Sequence, residues 1–138
     1  MLRSLSTKVF FAILAAVLFV VALVGIMLEY SQQRIRLRTH ASIVAGGDPE
    51  RGEAMFIQYG CGSCHSVKNV RTATGMVGPP LEHFSRRAYI AGEVPNDPEF
   101  LIRWIEVPQA IEPGTVMPNL GVSEGQARSI AAYLYTLR

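Results

Sequence analysis

The chain has 138 residues, 49% apolar and 17% charged, with thirteen Lys and Arg against eleven Asp and Glu, two cysteines and three histidines. That length accommodates one small domain and a tail. From Ala41 onward eight basic residues face ten acids, so the overall net charge of +2 resides in the N-terminal flanks, and the basic balance gives no support to a nucleic-acid partner.

The first element is Val9 to Leu28, VFFAILAAVLFVVALVGIML, twenty residues without a charge. As a helix rising about 1.5 Å per residue it spans the roughly 30 Å of a bilayer core, which predicts a transmembrane anchor over residues 1–28. A cleaved secretory signal is the rival reading. The run is longer than the usual apolar region of about 7–15 residues, and no small-x-small cleavage pattern closely follows it. Arg3 and Lys8 flank one end and Arg34, Arg36 and Arg38 the other, so the positive-inside count does not orient the span. Residues 29–47 are read as a linker whose first half extends the membrane helix and whose Gly46-Gly47 pair is a hinge.

Residues 48–138 read as a globular domain. Asp48 as N-cap, Pro49 at the first helical position and Glu50 in the first turn open a helix to about Tyr59. Ser66 to Leu81, rich in Gly, Pro, Thr and Ser, is loop. Asp97-Pro98 starts a second helix that Pro108 ends. After a Pro- and Gly-containing loop from Gln109 to Gly121, a Ser123-x-x-Gln126 capping box opens the last helix, with Ala127, Ile130, Ala131, Leu134 and Leu137 at helical spacing. No strand-like alternation is sustained, so the fold class is all-α. So few short helices bury little apolar surface, and such a domain needs a staple or a large prosthetic group.

Both cysteines lie in Cys61-Gly62-Ser63-Cys64-His65. A disulfide across this spacing closes only a tiny loop. A thioredoxin-like dithiol belongs at a strand-to-helix junction of a βαβ pattern, which is absent. Zinc needs a fourth ligand, for which only His40 and His83 remain. Cys-x-x-Cys-His is also the attachment signature of a c-type haem: cysteines at i and i+3 face one way and reach both vinyl groups of one porphyrin edge, and His65 turns onto the iron. For the sixth ligand the best candidate is Met117, fifty-two residues after His65 and flanked by Gly114-Thr115-Val116 and Pro118, with His83 the runner-up. Met55 is tethered too closely to the motif, and Met76 lies in the loop that must serve His65. With His65 and Met117 both on iron, no position is open for substrate, and a soft thioether raises the reduction potential.

The order helix, CxxCH, Gly-Pro-x-Leu loop, helix, Pro-Gly-Thr-x-Met loop, helix resembles class I cytochromes c over the whole domain. The stretch from Gly78 to Leu134 is more narrowly similar to the cytochrome domain of subunit II of caa3-type oxidases, without that subunit's copper-binding domain. The resemblance implies a class I cytochrome c fold around one haem c, covalent through Cys61 and Cys64. It implies that the Pro79 carbonyl accepts from the His65 ring, that Leu81 packs on the His65 face, that Arg86 or Arg87 pairs a haem propionate, that Thr115 lies near the propionates and the Met ligand, and that Trp104 lies on the Met side. Gly52 and Phe56 on the first domain helix are expected to face Ile130 and Tyr133 on the last.

The function so implied is electron transfer, without catalysis or a small-molecule substrate, by a cytochrome anchored in the bilayer of a bacterial inner membrane. The N-terminus would be cytoplasmic and the haem domain on the periplasmic or outer side. Its partners would be a terminal oxidase, as subunit or donor, and a quinol-oxidising complex. The alternative is a haem sensor or peroxidase-like protein with a displaceable Met117.

Overall fold

The computed structural model describes residues 2–138, with side chains from Thr7 onward; Met1 and the Arg3 side chain, assigned above to the anchor and its basic flank, lie outside the described residues. The chain divides into two units, Met1–Arg36 and Leu37–Arg138. Helix α1, Leu2–Ala45, runs through the first and into the second. From Thr7 to Arg36 its apolar side chains are all exposed, from Leu14 at 42% to Met27 at 76%, and from Thr7 onward it is long and apolar enough to cross a bilayer. Near its polar end the Arg34 guanidinium lies 4.9 Å from the Tyr30 ring centre and donates to the Tyr30 hydroxyl at 2.7 Å.

The linker segment is helical to Ala45. Its last turns belong to the globular unit: Ala41 and Ala45, four residues apart and so on one face, are both 1% exposed, and Arg38 pairs with Glu50. The Gly pair also differs from a free hinge. Gly46 takes the left-handed conformation that ends α1, Ser42 Oγ donates to the Gly47 carbonyl at 2.7 Å, and Gly47 lies against the Arg128 backbone.

Helix α2, Pro49–Gln58, is capped by Asp48, whose carboxylate accepts from the N–H groups of Glu50 and Arg51 at 2.9 and 3.3 Å. Helix α3, Pro98–Glu106, repeats the device with Asp97 accepting from Glu99 N–H at 3.0 Å. Helix α4, Glu124–Thr136, opens on the Ser123–Gln126 capping box, with Ser123 N–H donating to Gln126 Oε1 at 3.0 Å. The domain is built on the crossing of α2 with α4, against which α3 packs. The crossing is close because Gly52 has no side chain: a Cβ there would fall 1.9 Å from the Ser129 carbonyl oxygen. One turn on, the Phe56 and Tyr133 rings meet at 5.7 Å and 55°, and Phe56, Ile130 and Tyr133 are all buried. The expected facing of Gly52 and Phe56 with Ile130 and Tyr133 is therefore the central joint of the fold.

The all-α expectation holds apart from a two-residue antiparallel pair, β1 Tyr89–Ile90 with β2 Val94–Pro95, in register Tyr89 to Pro95 and Ile90 to Val94. Its turn has Ala91 and Gly92 at φ 54° and 82°, with Glu93 N–H donating to the Ile90 carbonyl at 3.0 Å. Two residues per strand are too few to leave an alternating pattern in the sequence.

Candidate functional site

The two cysteines are set by a single 3-10 turn, Cys61–Ser63, that follows α2 after the left-handed Gly60. The Cys61 carbonyl accepts from both Cys64 and His65 N–H groups, at 3.2 and 3.0 Å, so cysteines and histidine leave the same short coil. The thiols are free and half-buried. Burial pushes the Cys61 thiol up to about 11, a backbone hydrogen bond opposes the shift and the neighbouring Cys64 adds to it. That is the opposite direction from the depressed pKa of a reactive dithiol. Among the described residues no three His, Cys, Asp or Glu side chains gather as a metal-holding cluster, so the zinc alternative lacks its ligand set.

The loop after His65 folds back onto this turn. Gly75 N–H donates to the Gly62 carbonyl at 3.0 Å, Gly78 N–H to Cys64 at 2.8 Å, and Leu81 N–H to Ser66 at 2.8 Å. The result is a carbonyl aimed at the imidazole: His65 Nδ1 lies 2.8 Å from the Pro79 oxygen. A carbonyl only accepts, so Nδ1 carries the proton and Nε2 keeps its lone pair for a metal. Gly78 is what lets the chain pass this close, since a Cβ there would fall 2.4 Å from Cε1 of the His65 ring.

Around this centre the other candidates separate. Leu81 is 6% exposed and belongs to the main core, and Trp104 is half-buried against the same core. Arg87 donates to the Pro80 carbonyl and lies 5.7 Å from the Phe84 ring, which ties it to the Pro79 loop. Arg86, its neighbour, instead lines a cleft with His40, Val44, Ser85, Tyr135 and Arg138 that contains none of the other haem-site candidates. His83 is exposed, in the left-handed conformation that starts the 3-10 turn Phe84–Arg86. Met117 is half-buried, whereas Met76 is 93% exposed. Thr115 and Met117 are joined: Met117 N–H donates to Thr115 Oγ1 at 3.2 Å.

Two positioning residues escape sequence reasoning. Gln109, on the 3-10 turn Pro108–Ala110, donates from Nε2 to the Met117 carbonyl at 2.8 Å and so clips the methionine loop to the end of α3. Its only signal is a polar residue after a helix-ending proline. Gly78 reads in sequence as one glycine of a Gly-Pro-Pro loop, although it sets the approach to His65.

A c-type haem fits this donor set: two thiols on one turn, an imidazole whose far nitrogen is free, and a thioether held on a separate loop. Comparison with known proteins agrees. The family model Cytochrome c matches residues 49–138. Cytochrome c oxidase subunit 2 of Alkalihalophilus pseudofirmus is 36% identical over 89 residues, covering 64% of this chain and 25% of that one. The subunit of the same name from Bacillus subtilis is 26% identical over 114 residues, covering 80% and 32%. Thus the chain spans about a quarter to a third of the oxidase subunits it matches. Cytochrome c2 of Rhodomicrobium vannielii is 32% identical over 129 residues, covering 84% of this chain and 93% of that one. No solved structure matches. With the family model covering residues 49–138, well over half of the chain, and Cys61 and Cys64 placed to hold covalent haem c, the chain belongs to the cytochrome c family.

Proposed function

We propose that this cytochrome carries electrons in a respiratory chain, tethered to the membrane by α1, as a subunit of a haem-copper terminal oxidase or as its dedicated donor, and is itself reduced by a quinol-oxidising complex. Electron transfer follows from the family. The finer assignment is supported by the similarity to oxidase subunits 2 and by an apolar helix long enough to cross a bilayer. In this reading the chain is not a catalyst, its N-terminus is cytoplasmic, and its globular domain lies on the outer side of a bacterial inner membrane, where haem attachment takes place.

One observation carries the assignment of the site, the 2.8 Å bond between His65 Nδ1 and the Pro79 carbonyl. It fixes the ring's rotation and tautomer, and it makes Nε2 a more basic ligand. We assign His65 Nε2 and Met117 Sδ as the two donors that would hold the haem iron. When bound, the haem would supply a one-electron couple. The protein's part is to hold the donors still. Pro79 and Gly78 seat His65, Gln109 and Thr115 hold the Met117 backbone, and Leu81 closes the core beneath the Pro79 loop. Arg87, on the Pro80 carbonyl, is the arginine we assign to a propionate, in preference to Arg86.

The test is to isolate the native membrane complex in mild detergent, identify its components, and follow haem reduction by a quinol and reoxidation by oxygen. Co-purification with a terminal oxidase, and oxidation that stops when that oxidase is inhibited, supports the proposal. Rapid carbon monoxide binding by the reduced native protein would instead favour the sensor or peroxidase reading, in which Met117 leaves the iron.

A further inference from the structure

A cleft of about 320 Å³ in the globular unit shares no lining residue with the haem-binding loops. Its walls come from three places: His40 and Val44 on the last turns of α1, Ser85 and Arg86 on the 3-10 turn, and Tyr135 and Arg138 at the end of α4. Packing fixes these walls. Ser85 donates from N–H and Oγ to the Leu137 carbonyl at 3.1 and 2.9 Å, and the Phe84 and Tyr135 rings meet at 6.1 Å.

The lining carries two guanidinium groups, and among the described residues no acidic side chain pairs with either. Among the described residues the side chains of His40, Arg86 and Arg138 make no hydrogen bond or ion pair, and none of the six lining residues is acidic. Tyr135 in the lining feels the charge of Asp97, whose carboxylate is engaged in capping α3. A carboxylate on Arg138 would cancel one charge and leave Arg86 uncompensated. The Tyr135 hydroxyl is committed to Asn96 Oδ1 at 3.1 Å, so its ring, with Val44, supplies an apolar wall beside the cations.

Guanidinium groups lining one cleft raise its affinity for an anion, and their planar forks match the oxygen pairs of a phosphate. The volume is at the lower end of the roughly 300–1,000 Å³ of small-molecule sites. We propose that this cleft binds a phosphate group, either the diester of an anionic phospholipid headgroup or free inorganic phosphate. The apolar wall suits an amphiphile, and one wall of the cleft belongs to α1, the helix that also carries the apolar run, so the chain that forms the site is one that meets phospholipid.

The test uses the full-length, haem-loaded protein, stripped of lipid in neutral detergent and followed by native mass spectrometry. Phosphatidylglycerol, phosphatidylcholine and inorganic phosphate are offered separately. Arg86→Glu, at an exposed side chain without a partner, is expected to weaken binding about tenfold or more while leaving the haem absorption unchanged. Arg71→Glu makes the same charge change at an exposed residue outside the cleft and should leave binding intact. Arg86-dependent binding of phosphatidylglycerol over phosphatidylcholine identifies a lipid site, and Arg86-dependent binding of inorganic phosphate alone identifies a phosphate site. Binding that Arg86→Glu does not change, or no binding of either anion, overturns the proposal; in the latter case, a protein crosslink at Arg86 would assign the cleft to docking.

Discussion

Replacing Gly78 with alanine tests whether one loop governs the imidazole at the centre of the site. The new Cβ would fall 2.4 Å from Cε1, 2.6 Å from Nδ1 and 2.9 Å from Nε2 of His65, whereas ordinary contact starts at 3.4 Å. Ring and chain must therefore separate by about 1 Å, enough to break a 2.8 Å bond to the adjacent Pro79. Losing that bond costs about 1 kcal/mol net, and the overpacking adds about 1–3 kcal/mol, so the haem-loaded domain should lose roughly 2–4 kcal/mol. The sign of the redox effect follows from the ligand. A hydrogen bond that enriches Nε2 favours ferric iron, so losing it raises the reduction potential. If the whole of that roughly 1 kcal/mol discriminates between oxidation states, the rise is at most about 40 mV, given about 59 mV per tenfold for one electron. Redox titration and urea unfolding of the full chain measure both effects, with Gly125→Ala as control because a Cβ there meets nothing within 4 Å. An unchanged potential and stability in a well-loaded Gly78→Ala protein would refute the reasoning. Because poor haem loading would silence the titration, the wild-type protein offers a second check: the His65 Nδ1 proton should exchange slowly with solvent, and fast exchange would count equally against the bond.

Three further outcomes are expected. Gly52→Ala and Gly125→Ala are the same helical substitution with opposite results: at Gly125 propensity gains up to about 0.5–1 kcal/mol, whereas at Gly52 the clash 1.9 Å from Ser129 O outweighs that gain and destabilises by about 1–3 kcal/mol, read from urea midpoints. Met117→Ala should let the reduced protein bind carbon monoxide rapidly and should lower its potential; identical ligand binding in variant and wild type would remove Met117 as a ligand. Tyr133 and Tyr135 are pushed up to about 12, mainly by burial, so above pH 10 the unfolded chain releases phenolic protons that the folded chain keeps; stability is full below about pH 10 and falls towards pH 12. A phenolate absorbance titration should place the two late with the loss of helix, and Tyr135→Phe should flatten part of the alkaline fall in stability.

Legibility varied with the distance over which the determining contact acts. Asp48, Asp97 and the Ser123–Gln126 box start their helices through bonds spanning two or three residues, so each start is visible locally. The short hairpin at Tyr89–Pro95 left no pattern because it rests on a turn with two positive φ values and only two residues per strand. The Gly46-Gly47 pair has a hinge's composition, but it ends α1 at a point where Ser42 and the Arg128 backbone close around it. Arg86 and Arg87 are indistinguishable as letters. Packing separates them, sending one to the Pro80 carbonyl and Phe84 ring, and the other to the cleft beside His40 and Tyr135.

Local pattern was enough to give the cofactor and a helix long and apolar enough to cross a bilayer, because two cysteines three apart followed by a histidine, and twenty uncharged residues in a row, are patterns within one turn or one helix. Tertiary structure decided what holds His65 and the Met117 loop, how closely α2 and α4 cross, and that the end of α1 belongs to the globular unit. Each of these depends on residues far apart in the chain meeting at a few ångströms, a distance that local pattern does not specify but packing does.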